Sequence, residues 1–254
     1  MKHCFTATFI TMFAFASFAA EKTEIVFGVN MDYAMPLVQL QTENNSTTLE
    51  GGILKDLGTA IAKELKVTPK WFLVPKRRVG PNLSTGKIDI LCHLNEVWQP
   101  AIKNDVWWTN KLYASSNVLV FLKDNKRITS VKDIEGEDVG VVLNFIYTSL
   151  DPHFQSGTIK REDGPNNLAN IKKLLKGRIH YIVMSNLEFA YYNSLYPPLQ
   201  SADLGMDSVL TKCAVSKKSS LKIEDVNKAI AAITRSGTLD KILRSYYYTA
   251  GDSK

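Results

Sequence analysis

Short apolar runs alternate with longer amphipathic stretches along this chain, as they do where strands and helices take turns. Residues 25–29 form a short apolar run, and Gly51-Gly52 then opens a stretch whose Ile53, Leu57, Ile61 and Leu65 share one helical face before Pro69. The spacing predicts a further strand over 71–74, a basic loop with a short helix over 75–85, and a strand over 88–92. That is a β-α-β-α-β set, whose parallel strands require right-handed crossovers. The run LYASSNVLVFL over 112–122 predicts a long extended crossing segment, and 128–138 a polar connector with a short helical turn. A second set follows: a strand over 139–143, a helix over 166–176 with Leu168, Ile171 and Leu175 inward, and a strand over 179–184. Residues 210–215 predict a return crossing. Ser219-Ser220 is expected to cap a last helix that packs Val226, Ile230 and Ile233 before Gly237.

One phrase occurs in both sets. Leu83-Ser84-Thr85-Gly86-Lys87-Ile88-Asp89-Ile90-Leu91 returns as Leu174-Leu175-Lys176-Gly177-Arg178-Ile179-His180-Tyr181-Ile182. Each reads as a helix closed by a left-handed glycine, a cation at the negative end of its dipole, and an Ile-rich strand. Two such units imply an α/β fold of two lobes. Ligands of open α/β sheets bind beyond the carboxyl ends of the strands, so the cleft is expected just after Leu91 and Met184. The predicted division is 20–117 plus 207–254 for one lobe and 118–206 for the other, joined by two extended crossings that act as a hinge.

Ahead of these lobes, Lys2 precedes an apolar stretch from Phe5 to Phe18 that is too short to anchor in a bilayer, and Ser17-Phe18-Ala19 suits a signal peptidase. Residues 1–19 therefore read as a signal peptide cleaved near Ala19, which sends the mature chain to the periplasm. Cys4 lies before the apolar run, where it cannot carry a lipoprotein lipid. The formal charge of +6 comes from 31 Lys and Arg against 25 Asp and Glu. These cations are spread out with no basic stripe of interleaved aromatics, which argues against a nucleic-acid partner. Cys92 and Cys213 sit in strand-like runs within an oxidising compartment. They are bonded if those strands are neighbours and otherwise two buried thiols. There is no CxxC, and His93 alone makes no metal site.

The order Phe27-Gly28-Val29, Gly52-Ile53-Leu54-Lys55-Asp56-Leu57 with 60–65 (AIAKEL), Gly86-Lys87-Ile88-Asp89, Val131-Lys132-Asp133-Ile134-Glu135-Gly136, Val139-Gly140-Val141, Gly177-Arg178 and Gly237-Thr238-Leu239-Asp240-Lys241-Ile242 resembles extracytoplasmic solute-binding proteins of the polar-amino-acid family. The resemblance spans nearly the whole mature chain. It implies a type II periplasmic-binding-protein fold, a clamshell that closes over a small solute and delivers it to an ABC-type permease, with no cofactor and as a monomer. It also implies three charged contacts that this sequence lacks. The arginine that pairs with the ligand carboxylate aligns with Ala101, the Gly-Thr-Thr-like turn with Asn144-Phe145-Ile146, and the ammonium-binding aspartate with Ser185. A buried charge without a partner costs several kcal/mol, so the expectation is a small polar solute other than an ordinary α-amino acid.

Candidate cleft residues follow the strands. Asn30 and Tyr33 come after the first, with an aromatic face at Tyr33. Arg77 and Arg78 could supply a displaced cation for a carboxylate or phosphate, or form a solvated basic loop. His93, Asn95, Glu96 and Trp98 follow the first repeat, Asn144, Phe145 and Tyr147 occupy the opposing turn, and Ser185 and Asn186 follow the second repeat. Tyr113 lines the cleft or supports the hinge. Hydrolase, zinc-peptidase, nucleotide-binding and dinucleotide-binding phrases are all lacking. The one catalytic alternative is a Glu96–His93 acid–base pair of a periplasmic dehydratase on the same fold. The other alternative is a ligand sensor that presents its closed form to a membrane receptor.

Overall fold

The computed structural model describes residues 23–123, 128–196, 199–206 and 208–247. The segment 1–19, read as a signal peptide, lies outside the described residues. In chain order the elements begin with β1 (Glu24–Asn30), β2 (Gln39–Glu43), β3 (Ser46–Gly51), α1 (Ile53–Leu65), β4 (Thr68–Val74), α2 (Lys76–Thr85), β5 (Ile90–Leu94), β6 (Val106–Trp108) and β7 (Ala114–Leu122). They continue with β8 (Asp138–Val142), α3 (Asp151–Ser156), β9 (Lys160–Gly164), α4 (Asn167–Leu175), β10 (Tyr181–Ser185), α5 (Asn186–Leu195), β11 (Leu199–Ala202), β12 (Ser208–Leu210), β13 (Lys212–Ser216), α6 (Ile223–Arg235) and α7 (Thr238–Tyr247).

Two mixed sheets carry the two lobes. The first has the order β4-β1-β5-β13-β6, with β1 parallel to β4 and β5, and β13 antiparallel to β5 and β6. The second runs β11-β7-β10-β8-β9, where β8 is parallel to β9 and β10 while β7 is antiparallel to β10 and β11. The two crossings divide their strands differently. All of β7 belongs to the second sheet, so the expected lobe limit at 117/118 falls inside a strand. The predicted return crossing over 210–215 is instead two strands: β12 pairs with β7, whereas β13 inserts into the first sheet.

The repeated phrase packs the same way in both sheets. Gly86 (φ 80°) and Gly177 (φ 65°) take the left-handed conformation that ends a helical segment. The isoleucine two residues later is buried against a glycine of the adjacent strand. A Cβ at Gly28 would lie 2.8 Å from Ile88, and one at Gly140 2.5 Å from the Ile179 side chain. Only glycine admits that approach, so each unit presses its strand onto its neighbour.

Helix phases differ in detail from the sequence expectation. In α4 it is Ile171 and Leu174 that are buried, while Leu168 is half-buried and Leu175 is 40% exposed, because the helix starts at Asn167 and turns that leucine to solvent. Ser219 and Ser220 do not cap α6, whose N-cap is Lys222; the Ser219 hydroxyl accepts from the Leu221 amide in the preceding turn. Nor is α6 the last helix, since α7 follows Gly237. Cys92 and Cys213 lie on the adjacent strands β5 and β13 and are disulfide-bonded. No helix among the described residues is long and apolar enough to cross a membrane.

Candidate functional site

The carboxyl ends of β1, β5, β8 and β10 converge on one cleft with about 510 Å³ of empty space, its mouth included. One wall comes from the first lobe through Tyr33, Leu37, Lys76, His93 and Trp98. The other comes from the second lobe through Ser115, Asn117, Phe145, Ile146, Tyr147, Asn167, Met184, Ser185 and Glu188. Both helix-Gly-strand units thus open into it, through His93 on β5 and Ser185 at the end of β10.

The lobes also touch at the rim. The rings of Tyr33 and Phe145 meet edge to face at 5.4 Å, and the Lys76 ammonium lies 5.3 Å from the Phe145 ring centre. Arg77 Nε donates to Asn144 Oδ1 at 2.7 Å. Asn144 holds φ 66°, a left-handed conformation that asparagine tolerates better than most residues. These contacts join the two lobes across the rim.

The first-lobe wall is built around a buried imidazole. His93, 3% exposed at φ 60°, shares a 2.9 Å hydrogen bond between Nδ1 and the Tyr113 hydroxyl, stacks on Tyr113 and lies near Trp98. Burial, reinforced by the Lys76 ammonium, lowers its pKa to about 3, so it is a neutral imidazole at any physiological pH. Burial also lowers Lys76 to about 8, against the opposing pull of Asp32, whose carboxylate accepts the Lys76 backbone N–H at 2.8 Å. Lys76 remains the cation of this wall at neutral pH.

Opposite stands a buried carboxyl. Ser185 caps α5 in a capping box: its hydroxyl accepts the Glu188 amide, and Glu188 Oε2 accepts the Ser185 amide at 3.3 Å and its hydroxyl at 2.8 Å. Burial raises the pKa of Glu188, while Asn167 and Ser185 favour its charged form. Glu188 Oε1 and Asn167 Oδ1 have no hydrogen-bond partner. Each such buried acceptor costs about 1–3 kcal/mol when left unpaired. Tyr147 closes the turn by accepting the Val142 amide at 2.9 Å, and burial pushes the hydroxyls of Tyr33 and Tyr147 well above their usual range.

The structure therefore brings together Tyr33, His93, Trp98, Phe145, Tyr147 and Ser185 of the residues expected from sequence. Others serve the frame. Asn30 is buried beneath the cleft, accepting the Asp32 amide. Tyr113 supports His93 from behind. Asn95 caps a short helical turn by accepting the Val97 amide, and donates to the Leu210 carbonyl. Asn186 accepts the Ser116 amide. Arg77 and Asn144 bridge the rim, and Arg78 is exposed on α2. Glu96 turns away to an ion pair with Lys212 at 2.5 Å, so the Glu96–His93 acid–base pair is not assembled. The ionisable groups of the cleft are instead Lys76 and the buried carboxyl of Glu188, both of which the sequence reading missed. Glu188 had a legible signal, the capping box Ser185-Asn186-Leu187-Glu188. Among the described residues no cluster of His, Cys, Asp and Glu could hold a metal.

This architecture meets its family here. The profile of the bacterial extracellular solute-binding proteins, family 3, matches residues 25–249. The chain belongs to that family. Among the relatives, the histidine-binding periplasmic protein of Escherichia coli K12 is 23% identical over 245 residues, covering 92% of this chain and 91% of that protein. The probable amino-acid-binding protein YxeM of Bacillus subtilis strain 168 is 25% identical over 198 residues, covering 74% of this chain and 72% of that one. The substrate-binding protein of an amino acid ABC transporter shares the fold with a TM-score of 0.71 at 21% identity, over 88% of this chain and 99% of its own. So does the ancestral amino-acid-binding protein AncCDT-1, a precursor of cyclohexadienyl dehydratase, with a TM-score of 0.71 at 23% identity, over 88% and 95%. The two-lobed type II fold expected from the sequence is the fold found. The chain is a solute-binding protein rather than an enzyme.

Proposed function

We propose that this protein works in the periplasm as a monomer, encloses a small polar solute between its lobes and hands it to an ABC-type permease. The observation that carries this reading is the cleft itself: both lobes line it, and its wall holds buried polar atoms that no protein group satisfies. Residues 1–19 read as the export signal that a periplasmic role requires. The exclusion of ordinary α-amino acids rested on three absent contacts to the ligand's charges, an arginine, a hydroxyl-bearing turn and an aspartate. Lys76 and Glu188 enter the same cleft from other positions, so that premise no longer sets amino acids apart from other polar solutes.

Mechanism follows from two-state thermodynamics. A solute that touches both walls gains contacts available only in the closed form and shifts the population toward it. Lys76 offers its charge to an anionic group of the solute, and the rings of Tyr33, Trp98 and Phe145 cover its apolar part. A thermal-shift screen over amino acids, sugars, carboxylic acids and polyamines tests the reading. A ligand at a hundred times its Kd adds about 2.7 kcal/mol, which raises the melting temperature by about 5–11 °C for a protein of this size. Small-angle scattering should show compaction with the same compound. A library that shifts nothing would overturn the proposal.

A further inference from the structure

Phe145 belongs to one lobe by its backbone and to both by its ring. Its amide donates to the Val142 carbonyl at 3.1 Å, and Arg161 Nη2 donates to the carbonyls of Val142 and Phe145, each at 3.2 Å. Asp151 and Asp163 pair with that guanidinium, so the turn after β8 is fixed to the second lobe. The ring leaves this turn toward the opposite wall. Among the described residues it is the only partly buried apolar side chain packed both against the first-lobe core around β1 and α1 and against the second-lobe core around β8 and β10. It meets Tyr33 edge to face and lies against the Lys76 ammonium, whose burial Asp32 only partly offsets. Separating the lobes withdraws the ring from an apolar seat, breaks the aromatic pair and uncovers the cation. The two ring contacts together favour the docked ring by about tenfold.

We infer that Phe145 is a latch, a ring carried by the second lobe and seated against Tyr33 and Lys76 of the first, which biases the clamshell toward closure and competes with the solute for Lys76. The competition rests on the solute-binding reading above; the bias does not. A side chain in that seat acts as a tethered ligand, because its contacts with the first lobe exist only while the lobes are together. An incoming solute gains its own contacts and forfeits those of the ring it displaces, which lowers its apparent affinity. A solute that joins an anionic group to an apolar or aromatic part replaces both of the ring's contacts, the first at Lys76 and the second at Tyr33. Asn144 adds its hydrogen bond with Arg77 from the same turn, so residues 144 and 145 supply the polar and the apolar halves of one connection between the lobes.

Pulsed electron–electron distance measurement tests the latch in the full mature protein without added solute. Spin labels at Lys63→Cys on α1 and Lys172→Cys on α4, both exposed, report the separation of the lobes. The short distance should dominate with Phe145 in place. Phe145→Ala should move the ratio of short to long distances about tenfold toward long. Phe145→Leu, which keeps an apolar group of similar bulk but no ring face, should move it several-fold and serves if the alanine variant fails to fold by circular dichroism. Benzoate brings a ring and a carboxylate to the space that Phe145→Ala opens, so at millimolar concentration it should restore the short distance in that variant and leave the wild type unchanged. A long distance that already dominates with Phe145 present, a folded variant with the wild-type distribution, or an opening that benzoate does not reverse overturns the inference. Each of these leaves the solute-binding reading standing, which a silent thermal-shift library overturns separately.

Discussion

His93 should make this protein acid-labile through one identifiable group. Its imidazole is fully enclosed by the Tyr33, Trp98 and Tyr113 rings and lies near the Lys76 ammonium, and its pKa falls from 6.5 to about 3. The unfolded chain therefore takes up a proton below pH 6.5 that the folded chain refuses until about pH 3. Because the unfolded state binds more protons in that window, stability is complete above pH 6.5 and drains away as the pH falls. At pH 4.5 the loss from this group is two pH units below its ordinary value, or about 2.7 kcal/mol at about 1.36 kcal/mol per unit. His93→Asn isolates it, since asparagine accepts the left-handed φ of 60°. The substitution also lowers stability at every pH by removing the bond to Tyr113, so the informative quantity is the difference of differences. Urea titrations at pH 7.5 and 4.5 should show the wild type losing about 2.7 kcal/mol more than the variant between the two conditions. Equal losses would mean that this imidazole is charged or solvated in the folded state, and the account of the first-lobe wall would be wrong.

Four further outcomes follow from the same geometry. Lys76→Met should stabilise the solute-free protein at pH 7 by about 3 kcal/mol, because a buried ammonium whose pKa falls from 10.5 to about 8 is held charged at a cost; wild-type stability should also climb between pH 8 and 10.5, and a destabilised variant in urea would contradict this. Replacing Cys92 and Cys213 with serine opens a link spanning 121 residues of sequence and should cost up to about 5 kcal/mol, and unchanged denaturant midpoints would refute it. Arg77→Ala removes one hydrogen bond across the rim, worth about 1 kcal/mol or a fivefold shift toward the open form, which a larger solute-free radius of gyration should register. Gly164→Ala should cost about 1–3 kcal/mol in urea, since its Cβ would displace the Asn170 amide that donates to the Val141 carbonyl; a neutral result would show that the amide has room to move.

The scaffold was legible because it is written in periodic and conformational signals. The apolar runs of β1, β5, β8 and β10 and the glycines at 86 and 177 each imply their element locally, and adjacency of β5 and β13 then makes the cysteine pair a disulfide. The site was legible at the carboxyl ends of strands, in His93 and Ser185 on β5 and β10 and in Tyr33, Phe145 and Tyr147 shortly after β1 and β8. Of the lining residues missed, Lys76, Asn167 and Glu188 lie in the first turn of a helix. There successive side chains diverge by about 100°, so a one-residue difference decides what enters the cleft. Lys76, Arg77 and Arg78 show this: the first lines the cleft, the second reaches the rim, and the third faces solvent.

That cluster also carries a signal which neither periodicity nor family position supplies. Three consecutive cations open α2, where the helix dipole is positive and acidic residues are preferred, and its first turn has no acidic residue. Lys76 adds burial to that unfavourable position, and Asp32 only partly offsets it. Glu188 is the mirror case: a carboxylate suits the first turn of α5, yet it is buried with one oxygen unsatisfied. Residues kept against local preference are expected where function needs them. Uncharged residues at Ala101 and Ser185 still leave the site with ionisable groups, a lysine and a carboxyl placed at helix starts on the two lobes.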